Sequence, residues 1–128
     1  MVKKFAEKNA DYFYLIFRVI VGLVFILHGV MKINGIQAGN LTLMSLMGLA
    51  MIIEVLGGAL IVLGLFTRYV AGIAAIEMIF AFFMAHYPKG INPLANGGEA
   101  SVLFFAAFLV LYAFGSRGYA LDNGWKKK

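Results

Sequence analysis

The sequence predicts an all-α membrane protein: one bundle of four transmembrane helices with the N and C termini cytoplasmic. The prediction rests on a composition that water cannot accommodate, on four long apolar stretches, and on a lopsided placement of Lys and Arg. Of 128 residues, 62% are hydrophobic and 13% charged, and the mean hydropathy is +0.89. A soluble domain carries about 25% charged and about 45–50% apolar residues. At this length a water-soluble fold buries too small a fraction of its chain to hide so much apolar surface. Lipid removes the conflict. The length suits a single domain, residues 1–128, with no room for a soluble catalytic module beside it.

The first apolar stretch runs from Tyr12 to Met31, the second from Leu46 to Phe66, the third from Tyr69 to His86 and the fourth from Glu99 to Ser116. A spanning helix needs about 17–25 residues. The first two meet that length easily and the third is at its short limit. The fourth spans only if it continues past Arg117 with that side chain snorkelling to the interface; otherwise it lies along the surface. The first stretch is longer than the apolar core of a signal peptide and no small-x-small cleavage site follows it, so it is expected to stay in the mature protein. Between the stretches, Ile33–Ser45 reads as an external loop, Thr67–Arg68 as a tight hairpin, and Tyr87–Gly98, with its Pro and Gly residues, as a turn-rich loop.

Orientation follows the positive-inside rule. With both ends cytoplasmic, that side collects Lys3, Lys4, Lys8, Arg68, Arg117 and Lys126 to Lys128, the outer side only Lys32 and Lys89, and Arg18 lies inside the first span. The net charge of +5 therefore suits an anionic lipid surface. It forms no basic stripe with interleaved aromatics, so nucleic acid is not an expected partner. Cysteine is absent, which excludes disulfides, thiolate metal sites and iron–sulfur clusters.

Ionisable residues within the spans are the candidate sites, because a charge at the bilayer centre costs about 2.5–3.5 kcal/mol even on the mildest scales. A rise of about 1.5 Å per residue puts Arg18 about 9 Å above the cytoplasmic edge, Glu77 about 12 Å and Glu54 about 18 Å. His28 falls near ~24 Å, His86 near ~25 Å and Lys32 near ~30 Å, with Glu99 at the same level. Two polar layers are expected. In the lower, Arg18 takes Glu54 or Glu77 as its counter-charge. In the upper, His28, Lys32, His86 and Glu99 form an outer polar pocket. Arg18, Gly22, Gly29 and Lys32 fall within about 40° of one line on the first helix, and His28 lies about 80° away. Gly58, four residues after Glu54, and Ala81, four after Glu77, would let neighbouring backbones approach closely. An ion pair of Arg18 can simply fix helix register, and a histidine at the outer edge can simply be an interfacial polar residue. Four such residues at one level are harder to explain so.

The order Arg18, His28-Gly29, Lys32, Glu54, Gly57-Gly58 and Gly64-Leu65-Phe66-Thr67-Arg68 resembles the DoxX family. The later Met78, Ala81, His86, Asn96-Gly97-Gly98-Glu99, Gly118 and Leu121-Asp122 extend the resemblance over about Asp11 to Asp122. The closing segment Gly115–Asp122 is less rich in glycine and serine than the family's usual run. The resemblance implies a four-helix membrane protein of the cell membrane that serves as a subunit or partner of a membrane redox system.

Three functional readings follow. A redox-associated subunit would place a quinone headgroup at the upper layer, where its oxygens can be hydrogen-bonded and protons relayed. Haem between His28 and His86 is the less favoured cofactor. A non-catalytic assembly factor or scaffold would use the polar layers only to hold helices or a partner together. A small proton-coupled transporter, working as a dimer, would use the mid-membrane glutamates. Whether the chain is itself an oxidoreductase is left open. No metal site is expected, for lack of His-x-x-x-His or Glu-x-x-His spacing. The expected partners are the lipid bilayer, other membrane redox subunits and a second copy of the chain.

Overall fold

The computed structural model describes residues 1–37, 39 and 45–124, and among these it is helical with no strand. A short helix α1 (Val2–Lys8) leads through Asn9 into α2 (Ala10–Gln37). At 28 residues, α2 is about 42 Å long. It runs through Lys32 and Gly35, so the expected loop from Ile33 begins as helix. The rest of that loop, residues 38 and 40–44, lies outside the described residues, as does the basic tail 125–128.

Helix α3 (Leu46–Leu63) starts at Ser45, whose side chain accepts a hydrogen bond from the Gly48 amide at 3.1 Å. It stops three residues before the expected end at Phe66. Gly64 turns left-handed at φ 71°, and the amides of Gly64 and Leu65 close back on the Ile61 and Leu60 carbonyls. This pairing is the standard way of satisfying a helix's last carbonyls, and it favours glycine at the turning position. Gly64–Phe66, not Thr67–Arg68, therefore makes the hairpin, and α4 (Thr67–Ala81) begins at Thr67. Beyond Ala81 it widens into a π-helical turn, Phe82–His86, and tightens into a 3₁₀ turn, Tyr87–Lys89. The loop that follows contains α5 (Pro93–Asn96), and α6 (Glu99–Phe114) closes the set.

Three of these helices are long and apolar enough to cross a membrane: α2, α3 and α4 with its extension to Lys89. The apolar α6 has 16 residues. It does not continue past Arg117, because Gly115 breaks the helix at φ 71°, ψ −153° and the chain turns away. From there Gly115–Asn123 folds back across the end of the helices that also carries the N terminus, as a strap.

Helix α2 packs most extensively on α3, and α4 on α6, with α3 and α4 also in contact. The α2–α3 seam is built on glycine. A Cβ on Gly22 would stand 2.7 Å from the Gly58 carbonyl oxygen, and one on Gly58 the same distance from that of Gly22. Each glycine thus admits the other's backbone. Farther along, a Cβ on Gly29 would meet Glu54 and Val55 within 3 Å. The core between the helices holds Phe25, Ile61, Ala71, Ala74, Met78, Phe108 and Leu111, with Phe25 edge-on to Phe108 at 4.7 Å. The outward faces carry Ile16, Ile20, Leu27, Ile73, Ile76, Phe80 and Leu103, all exposed. Charge lies inside and hydrocarbon outside, as lipid requires.

Candidate functional site

Arg18 sits at the terminal end with no exposed surface. Its Nε donates to the Ile61 carbonyl at 2.9 Å and Nη2 to that of Val62 at 3.3 Å, both in the last turn of α3. Nη1 donates to Ser116 O at 2.8 Å and, over 3.5 Å, to Gly118 O, while Nη2 also reaches Tyr119 O at 2.8 Å. The expectation of a glutamate counter-charge is corrected here. The terminal carbonyls of a helix lack intrahelical donors and carry its negative dipole end. The guanidinium fork answers several of them together with the strap. Glu54 stands seven residues back along α3, about 10 Å away, and belongs to another group.

Other contacts at this end went unread in the sequence. The Tyr14 hydroxyl donates to Gly115 O at 2.6 Å. Arg117 bridges to Asp11 at 3.3 Å and lies 5.4 Å over the Tyr14 ring. Asp122 accepts from the Phe66 and Thr67 amides at 2.9 and 3.3 Å, and so caps α4 from 55 residues away. The Tyr119 hydroxyl donates to that of Tyr12 at 3.1 Å, and this bond holds it above the usual tyrosine value. The sequence signals were slight: glycines at 115 and 118 and an acid at 122, with nothing to tie them to Arg18.

The second group joins three helices. Lys32 of α2 donates to Glu54 Oε2 of α3 at 2.7 Å, with 18% and 5% of the two side chains exposed. Lys32 was expected above Glu54, in a different layer. The seam explains the pairing: Gly29 rests on Glu54, and Lys32 is one turn beyond, so its flexible stem reaches back. Glu77 of α4 lies beside them, within the electrostatic reach of both. Its two carboxyl oxygens are buried and have no hydrogen-bond partner among the described residues.

The remaining outer candidates are spread out. The half-buried His28 meets Phe104 of α6 edge-on at 5.2 Å. His86, at the end of the π-helical turn, places Nδ1 3.3 Å from the Asn96 carbonyl. Asn96 is itself buried, donating to Gly90 O and accepting from the Gly98 amide, so it holds the loop in place. Glu99 is exposed at the first position of α6. Among the described residues none of His28, Lys32, His86 and Glu99 hydrogen-bonds to another of the four, and no three acidic or histidine side chains cluster as metal ligands would. The four share one end of the fold without a common contact.

A family model described as DoxX matches residues 13–87. An uncharacterized protein of Haemophilus influenzae is 39% identical over 135 residues, covering 95% of this chain and 97% of its own. A Bacillus subtilis protein named "Putative oxidoreductase CatD" is 33% identical over 114 residues, covering 84% of this chain and 83% of its own. No solved structure matches the chain.

Proposed function

This chain belongs to the DoxX family, and on that premise we propose that it is a subunit or partner of a quinone-linked redox complex in the cell membrane. It is a multi-pass membrane protein, with three helices of spanning length and apolarity. In our reading α6 is the fourth span of a bundle. Its 16 residues cover about 24 Å, and the strap closes the shortfall against a hydrocarbon core of about 30 Å. Lys3, Lys4, Lys8, Arg68 and Arg117 all belong to the terminal end of the fold, which supports a cytoplasmic placement of both termini.

The observation that carries the redox reading is the similarity to the Bacillus protein named as an oxidoreductase, which extends over most of both chains. Without cysteine, the chain has no thiolate for an iron–sulfur centre, so electrons would pass through a partner. The role left to it is to seat a quinone headgroup at the outer end, with His28, His86, Lys32 and Glu99 as polar groups around it. Purification from native membranes in mild detergent, followed by mass spectrometry, tests this. Co-recovery of a redox subunit with bound quinone is the expected result, and recovery with lipid alone would overturn it.

A scaffold or assembly factor is the second reading, favoured by the Arg18 network, whose donors all serve structure. Under it, His28→Ala and His86→Ala would lower recovery of a partner while leaving quinone-linked activity in membranes unchanged.

A further inference from the structure

Among the described residues Glu77 is an intramembrane carboxyl with both oxygens buried and no hydrogen-bond partner, and it stands beside a pair that is already complete. Lys32 and Glu54 are joined at 2.7 Å and neutralise each other. Glu77 brings a second carboxyl to the same place from a third helix, with both oxygens shut off and no donor among the described residues. The charged groups acting on it are Glu54 and Lys32. Helix α6, which also packs against α4, carries only Glu99 at its first position as a charge, and its Tyr112 is exposed against Gly72. No second cation is therefore offered among the described residues.

We propose that Lys32, Glu54 and Glu77 form one intramembrane proton-exchange site, in which Glu77 takes up and releases the proton. Charge counting gives the roles. With Lys32 cationic, Glu54 anionic and Glu77 protonated the trio is neutral, the state hydrocarbon tolerates. Release breaks the Glu77 O–H bond, sends the proton to water or to an acceptor, and leaves the trio with a net charge of −1. Uptake reverses this, and no oxidant or reductant enters the step. Glu54 is tied to the Lys32 ammonium by a charge-assisted hydrogen bond at 2.7 Å. Glu77 has no such anchor. Access is from the Lys32 side, where the partial exposure of that side chain gives the site its opening.

The inference rests on the redox reading only for the proton's destination, since a quinone takes up protons together with electrons. The site can be tested without any partner, on the full chain in detergent. Dicyclohexylcarbodiimide modifies protonated carboxyls in apolar surroundings, and peptide mapping locates the adduct. The expected result is modification of Glu77 at neutral pH that fades as pH rises, together with an infrared carboxylic-acid band absent from Glu77→Gln. Gln is a neutral isostere of the protonated acid, so this variant should fold and keep its heat resistance. Modification of Glu54 in place of Glu77, or no protonated-acid band at neutral pH, would overturn the proposal. Labelling at Glu77 supports the site whether or not quinone co-purifies, so failure of the redox reading is separately visible.

Discussion

The two ends of the molecule are built on opposite terms. At the terminal end one buried arginine meets five carbonyls, an aspartate caps a helix from the far end of the sequence, and the buried side-chain polar atoms of the described residues are answered, Thr67 Oγ1 apart. Toward the opposite end a carboxyl is buried with no partner among the described residues, a helix widens into a π turn, and one histidine meets a ring and the other a carbonyl. Satisfied polar networks fix a single arrangement. Unanswered groups and π turns collect where chemistry is done. The difference teaches that an intramembrane charge is not by itself a functional signal: Arg18 costs the most to bury and has the least freedom to act.

The sharpest way to break this comparison is Arg18→Met. Removing the guanidinium strips the Ser116 and Tyr119 carbonyls of donors held at 2.8 Å, while the Ile61 carbonyl keeps the Gly64 amide at 3.1 Å. At about 1–3 kcal/mol for each acceptor left unsatisfied, the loss should be about 2 kcal/mol or more. Arg18→Lys should recover little of it, because an ammonium is a point charge without the planar fork. Heat or dodecyl-sulfate denaturation in detergent reads both. Wild-type-like resistance in Arg18→Met would mean that the strap is held by something else.

Next in size is the α2–α3 seam. Gly58→Leu drives a side chain into the Gly22 carbonyl, 2.7 Å from where its Cβ must stand, and into Ile26. Overpacking of this kind costs about 1–3 kcal/mol, and here it also pries apart the pair that holds Lys32 against Glu54. The same denaturation assay should show the loss. Carbodiimide labelling should then spread from Glu77 to Glu54, as Glu54 loses its cation. Labelling confined to Glu77 would show that the ion pair does not depend on the seam.

How much of this was legible in the sequence follows from range. The three long helices were, because apolar runs of spanning length are a local signal, and α3 begins at Leu46, where the second apolar stretch starts. Helix ends were missed where the cause was backbone geometry or a distant residue: Gly64 ends α3 early, and Asp122 lets α4 start at Thr67. The charged residues were legible as a set but not as partners. Heights along ideal, untilted helices placed Lys32 well above Glu54. The Gly29 contact brings the two helices into a different register, and a lysine stem bridges what remains. The same heights placed Arg18 within reach of a glutamate. A guanidinium has no need of one when helix-end carbonyls lie closer.

A smaller effect is expected at the α4 cap. Asp122→Ala removes the acceptor for the Phe66 and Thr67 amides, at 2.9 and 3.3 Å. Losing such a cap costs about 1 kcal/mol. Asp122→Asn keeps an acceptor oxygen and should recover most of it. Hydrogen exchange at Thr67 and its neighbours should quicken in the Ala variant alone. Equal exchange in the two variants would make charge, not the hydrogen bond, the operative term.

The smallest effect tests whether every charge at the terminal end is structural. Arg117 bridges to Asp11 at 3.3 Å with 38% of its own side chain and 11% of the aspartate's exposed, so solvent screens the pair from the arginine side. An exposed pair is worth below about 1 kcal/mol. Arg117→Gln should therefore barely move the denaturation midpoint, and raising the salt should shrink the wild-type difference further. The guanidinium also lies over the Tyr14 ring, which adds a contact that salt does not remove in full. A residual loss that persists at high salt would assign the role to the ring. A loss as large as that of Arg18→Met would instead place Arg117 within the buried network and extend the rigid end of the molecule by one more residue.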